Sequence, residues 1–216
     1  MIKKLISTLA VTTTLTAATA ALADGPYLGL GLGYMKADSD AGGPSGLYGS
    51  GSSELKAPVI GLTAGYRWNL RTGFAAAEVN GVFSTGSDFK NTANGNTCPA
   101  PGATGAYYCS HKATIRLRGI YGMPIGNSWE IFGALGFGAM TGDGAISTST
   151  VDRGVNVGVT VGLGAQRQIG QGKLRIEFVH DNFNSTKTKP TSSGGSIGYE
   201  PSYRANSIMA SYIFSF

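Results

Sequence analysis

The sequence predicts an all-β protein: an eight-stranded antiparallel transmembrane up-and-down β-barrel behind a cleaved signal peptide. Three observations predict it. The N-terminus reads as an export leader. Apolar and polar residues alternate with period two in eight separate segments. Long and short connections then alternate between those segments.

Composition narrows the field first. Of 216 residues, 13% are charged and 34 are Gly. Gly costs about 1 kcal/mol relative to Ala inside a helix, so this balance argues against a helical enzyme. Mean hydropathy near zero is too polar for a bundle of membrane helices. It suits strands with one apolar and one polar face.

Met1 to Lys4 form a short positive region, and Leu5 to Ala20 are uncharged and mostly apolar or small. Ala21-Leu22-Ala23 is a small-x-small cleavage site before Asp24. The chain therefore divides into residues 1–23, a signal peptide, and residues 24–216, the barrel domain. A retained anchor is the competing reading, but the apolar stretch is Thr-rich and ends at the cleavage motif. Without Lys3 and Lys4 the mature chain keeps 15 basic and 12 acidic residues, a charge of +3. The basic residues are dispersed, so no nucleic acid partner is expected.

The clearest strand is 154–166. Val155, Val157, Val159, Val161, Leu163 and Ala165 fall on one face, against Asn156, Gly158, Thr160, Gly162, Gly164 and Gln166. The same pattern marks 26–36, 57–68, 74–83, 113–123, 129–140, 173–183 and 203–216. In the first of these, Leu28, Leu30, Leu32 and Tyr34 oppose Gly29, Gly31 and Gly33. In 74–83, Val79 and Phe83 oppose Glu78 and Asn80. In 113–123, Ile115, Leu117, Tyr121 and Met123 oppose Thr114, Arg116, Arg118 and Gly122. In 173–183, Leu174, Ile176 and Phe178 oppose Arg175 and Glu177. Each segment is of roughly the length that a tilted membrane strand needs.

Connections 69–73, 124–128 and 167–172 are short. Connections 37–56, 84–112, 141–153 and 184–202 are long and read as external loops, rich in Gly, Ser, Thr, Asn and Asp and expected to be mobile. Both termini of the mature chain then lie on the periplasmic side of a cell outer membrane. Aromatic residues near strand ends, Tyr27, Tyr34, Trp68, Phe74, Phe83, Trp129, Tyr203 and Phe216, are expected to form two interfacial girdles.

The leader ending in Ala21-Leu22-Ala23, the first strand from Tyr27 to Tyr34 and the last strand Ser211-Tyr212-Ile213-Phe214-Ser215-Phe216 together carry a family likeness. The chain resembles the small eight-stranded outer-membrane proteins of the opacity-protein and OmpA-like barrel type. That resemblance implies that Tyr212, Phe214 and Phe216 are the C-terminal signal read by the barrel-insertion machinery. It says little about activity, because this fold hosts several functions.

Candidate chemistry lies first in the lumen. Alternation points Glu78, Arg118 and Glu177 inward at similar height, with Arg116, Arg175, Arg67 and Glu130 in adjacent layers. The expected lumen charge network is Glu78, Arg116, Arg118, Arg175 and Glu177. An eight-stranded interior is only wide enough for side chains, so the network reads as a salt-bridged plug, with a narrow gated pore as the alternative. Cys98 and Cys109, the two cysteines, share one external loop and are expected to form a disulfide. With His111 they would offer a metal only three ligands, so no metal site is assigned.

His180 raises the enzyme question. Some lipid A deacylases of similar fold carry a His and a Ser near one another on a late strand. Here Asn182 stands where the Ser would, and Ser185 is displaced into the loop, so His180 reads as a rim residue. Gly29, Gly31 and Gly33 lack the third position and the helix of a nucleotide-binding fingerprint. Lys187-Thr188-Lys189 could meet lipopolysaccharide phosphates, or be a solvated loop.

The expected function is a non-enzymatic outer-membrane surface protein, structural or presenting its loops for adhesion or interaction, with no cofactor. A small passive pore and a lipid A-modifying hydrolase are the alternatives. Expected partners are outer-membrane lipid and lipopolysaccharide, the barrel-insertion machinery, and host or environmental surface ligands.

Overall fold

A computed structural model of the chain describes residues 24–40, 52–86, 88–92, 106–126, 128–146, 149–188 and 201–216. The leader, Cys98 and Lys189 lie outside them, and so does the side chain of Lys187.

Ten strands follow in order: β1 (Gly25–Asp40), β2 (Ser52–Leu70), β3 (Gly73–Ser84), β4 (Lys90–Asn91), β5 (Ala106–Tyr108), β6 (Ala113–Ile125), β7 (Trp129–Ile146), β8 (Ser149–Ile169), β9 (Gly172–Thr188) and β10 (Tyr203–Ser215). Eight of them form one antiparallel cylinder, in which every long strand pairs with its neighbours along the chain. The short β4 and β5 stand outside that circuit, on β2 and β7. The cylinder closes because β1 pairs with both β2 and β10. Closure leaves no lipid-exposed strand edge, which is what a hydrocarbon solvent demands of a sheet.

Alternation decides the two faces. Leu28, Leu30, Leu32, Leu117, Leu135, Phe137, Leu163 and Ile208 are all more than half exposed and point outward. Glu78, Asn80, Arg116, Arg118, Gln166, Arg175 and Glu177 are buried and point inward. This inversion of a soluble core is what a lipid-facing barrel requires. At the turns β6–β7 and β8–β9, Gly126 and Gly170 take φ of 61°, a left-handed conformation that a side chain would strain.

The structure departs from the expected elements in three places. The described residues of the connection 141–153 are strand, not loop. β7 runs on to Ile146 and β8 starts at Ser149, paired through Asp143↔Arg153 and Gly144↔Asp152. β1, β2 and β9 likewise continue into the expected loops, to Asp40, from Ser52 and to Thr188. In the extended parts of β1 and β2 the outward face carries Lys36, Asp38, Glu54 and Lys56 while Met35, Ala37, Ser53 and Leu55 stay buried, so the outer face loses its apolar signal while backbone pairing continues.

The second departure concerns the girdles. Tyr34, Trp68, Phe83, Trp129 and Phe216 are exposed outward, but Tyr27, Phe74 and Tyr203 are at most 4% exposed and fill the lumen. Parity explains the correction. Tyr27 shares the face of Gly29, Tyr203 that of Ser207, and Phe74 that of Glu78. Proximity to a strand end does not choose the face.

The third departure is the second long connection. Its described parts fold into the barrel mouth: Phe89 N donates to Cys109 O (2.8 Å), Tyr108 N to Ser39 Oγ (3.0 Å) and Ser53 Oγ to Tyr108 O (2.9 Å). Phe89, Tyr108 and His111 are each at most 1% exposed.

Candidate functional site

The lumen is filled in layers. At the end carrying the short turns, Glu130 gathers three partners. Arg67 donates to both its oxygens (3.1 and 2.9 Å), Lys173 Nζ lies 2.8 Å away, and Gln166 donates at 2.7 Å. The Arg67 guanidinium also stacks 3.8 Å from the centre of the Phe74 ring.

One layer further in, Arg118 bridges two carboxylates. It bonds Glu177 twice, at 2.7 and 3.1 Å, and also bonds Glu78. Glu78 in turn accepts from Arg175 Nη1 (2.6 Å) and the Tyr27 hydroxyl (2.9 Å). Arg175 Nε donates to Gln166 (3.0 Å), so Gln166 ties this layer to the first. Gly162 makes the room. A Cβ there would lie 2.5 Å from Glu177 Oε1 and 3.5 Å from Arg118 Nη1.

The next layer is the Arg116–Asp181 pair, joined at 2.9 and 2.6 Å, with neither side chain exposed to solvent. Arg116 Nη1 also donates to Asn80 (2.7 Å), and Asn80 donates to Thr63 (3.0 Å). Above it sits an apolar cap in which Met35, Phe89, Tyr108, Met140, Phe183 and Tyr203 pack together. Tyr203 stacks between Phe183 and His111, with ring centres 5.9 and 6.1 Å away. The Tyr108 hydroxyl donates to Asn156 (2.8 Å), which donates to the carbonyls of Phe183 and Pro201.

Glu78, Arg118, Glu177 and Arg175 thus meet in one cluster, while Arg116 pairs separately. Asp181 and Asn80 were not singled out from the sequence as its partners. The signal was present, since 181 has the parity of Glu177 and 80 that of Glu78. Among the described residues no group of His, Cys, Asp and Glu is arranged to hold a metal.

His111 anchors the cap, beyond the end of β6. Ser84 Oγ donates to the His111 carbonyl (2.9 Å) and lies 3.0 Å from Nδ1, so Nδ1–H donates to it. Nε2 then accepts from Thr114 Oγ1 at 2.9 Å. Burial, and next the Arg116 charge, push His111 down to about 4, against an opposing pull from Asp181. The folded cap therefore prefers neutral His111. Its anchoring is complete above the ordinary His range near pH 6.5, and is lost progressively as pH falls from there toward 4. Hydrogen exchange in residues 106–112, corrected for intrinsic rates, is expected to quicken over that interval, and His111→Gln to flatten the response. Equal acid quickening in that variant would mean another group is responsible.

Such a barrel, apolar outside and ion-paired inside, matches a known family. The profile of the outer membrane protein beta-barrel domain aligns with residues 6–214. The chain belongs to the outer membrane β-barrel domain family. Membership places it in the outer membrane.

Several solved structures of this architecture are similar. Neisserial surface protein A is 12% identical, with 87% of this chain and 97% of that one covered at a TM-score of 0.46. The attachment invasion locus protein Ail of Yersinia pestis is 10% identical, with 89% and 100% covered at 0.47. The N-terminal barrel domain of Pseudomonas aeruginosa OprF is 9% identical, with 89% and 100% covered at 0.44. No curated protein sequence matches.

The remaining candidates of this barrel lie apart from the lumen. His180 is outward and half-buried on β9, its Nδ1 2.9 Å from Asn206 Oδ1 on β10. Glu177 and Asp181, its acidic neighbours in sequence, face the lumen on the opposite side of the sheet. Cys109 is buried and not free. Tyr212 packs against Phe214, with ring centres 4.7 Å apart, and Phe214 and Phe216 are exposed toward the membrane.

Proposed function

We propose that this outer-membrane barrel is a non-enzymatic surface protein that holds its external segments above the membrane for adhesion or interaction and does not conduct. One observation carries the reading: the described residues fill the lumen in successive layers, the Glu130 layer, the Arg118 layer, the Arg116–Asp181 pair and the apolar cap. Buried ion pairs are costly to separate, because each partner left behind is an uncompensated charge away from water. His180 supports the non-enzymatic reading, since its hydrogen-bond partner is an amide and the nearby carboxylates point away from it.

Several finer assignments accompany this proposal. The first 23 residues are a cleaved signal peptide, and Cys98 bonds to Cys109 within the second external connection. Both chain ends face the periplasm, at the end with the short turns, where Phe216 N donates to Pro26 O (3.1 Å). Tyr212, Phe214 and Phe216 engage the insertion machinery, and the outer leaflet supplies lipopolysaccharide around the rim.

Planar-bilayer recording on purified, folded protein tests the closed lumen. The expected result is no steady conductance. Stable channels in every preparation would reject the plug and favour the passive pore.

A further inference from the structure

Among the described inward-facing side chains the charges do not balance. The described inward-facing residues include five cations, Arg67, Arg116, Arg118, Lys173 and Arg175, but four carboxylates, Glu78, Glu130, Glu177 and Asp181. Asp181 matches Arg116, and Glu78 and Glu177 lie between Arg118 and Arg175. The excess therefore sits at the short-turn end, where Arg67 and Lys173 share Glu130 alone.

A cleft opens at that end, lined among others by Arg67, Lys173, Arg175, Tyr27 and Phe74. Arg175 is 4% exposed. Its guanidinium lies 4.9 Å from the Phe132 ring centre and 5.7 Å from that of Tyr27. Nε goes to Gln166 and Nη1 to Glu78, while Nη2 bonds to no described residue. Lys173 Nζ has three donors and a single oxygen partner, Glu130 Oε2. A sheltered cation with spare donors attracts an anion strongly, because water screens it poorly.

We propose that this cleft is an anion site, taking one small singly charged anion, a halide, beside Lys173 and Arg175, which line it. One negative charge offsets the extra cation among the described inward-facing side chains. The cleft's free volume of about 10 Å³ restricts the site to a compact ion. The proposal does not depend on whether the barrel conducts or on what its loops bind, and bilayer recording does not bear on it.

The test uses folded protein in non-ionic detergent, with heat-modifiable mobility confirming closure of each variant. Crystals soaked in bromide are expected to show anomalous density in the cleft beside Lys173. The urea midpoint is expected to be higher in chloride than in gluconate at equal ionic strength, because a ligand bound only by the folded state stabilises it. Lys173→Met is expected to abolish both the density and the difference in midpoint, and Lys173→Gln to do the same should the first variant not fold. Lys36→Met, on the outer rim, should keep both. Absence of cleft density with equal midpoints in the wild type would overturn the site, as would a chloride effect that survives loss of the lysine.

Discussion

Arg118→Met is expected to lower the unfolding free energy of the barrel by about 3–5 kcal/mol, the usual cost of removing one partner from a buried ion pair. Arg118 is 2% exposed and is the only described cation bonded to Glu177, whereas Glu78 also has Arg175 and Tyr27. The loss therefore falls chiefly on Glu177, left charged and without a cation. Adding Glu177→Leu should recover a substantial share, because the pair is then removed whole and Glu78 keeps its other partners. Urea midpoints at constant slope, followed by tryptophan emission, measure both variants. Simple addition of the two single losses would show that the residues are not coupled and that the layer is solvated.

Gly162→Leu is expected to do comparable damage without touching a charge. The glycine faces the lumen beneath the Glu177–Arg118 pair, with Ala134 Cβ at 3.3 Å from where its own Cβ would be. Ordinary overpacking costs about 1–3 kcal/mol. Here the added atoms claim the place of the Glu177 carboxylate, so the loss should approach the 3–5 kcal/mol range of a broken pair. Gly162→Ala should show a smaller loss of the same sign. A leucine variant as stable as the wild type, compared by the same urea midpoints, would mean that the ion pair can move aside.

These residues also show what the sequence made legible. Inside the bilayer one face meets hydrocarbon and the other meets packed side chains, so every second residue reports its side. That is why the inward positions of Glu78, Arg118, Arg175 and Glu177 could be read from parity alone. Asp181 carried the same signal, but it was not singled out as a partner for Arg116. Tyr27, Phe74 and Tyr203 were placed by closeness to strand ends, against their parity, and parity decided. The cap formed around Phe89, Tyr108 and His111 had no periodic signal, because irregular chain folded over a lumen buries residues without a repeating spacing. The upper reach of β7 and β8 was missed for a related reason: outside the bilayer, pairing no longer needs an apolar face.

Closure of the cylinder by β1 against β10, with Tyr27 opposite Ser215 and Asp38 opposite Arg204, has a kinetic consequence. The first strand has no permanent neighbour on one side until the last has been delivered. Folding cannot proceed piecemeal as the chain emerges from a ribosome or translocon. The polypeptide must be kept extended and shielded from aggregation through its whole transit, then assembled in one late event. This is the high-contact-order extreme among small proteins, where the sequence-distant contact that closes the ring is also the slowest to find. A defect in β10 should therefore reveal itself as precursor held up before insertion, even though every preceding strand is intact.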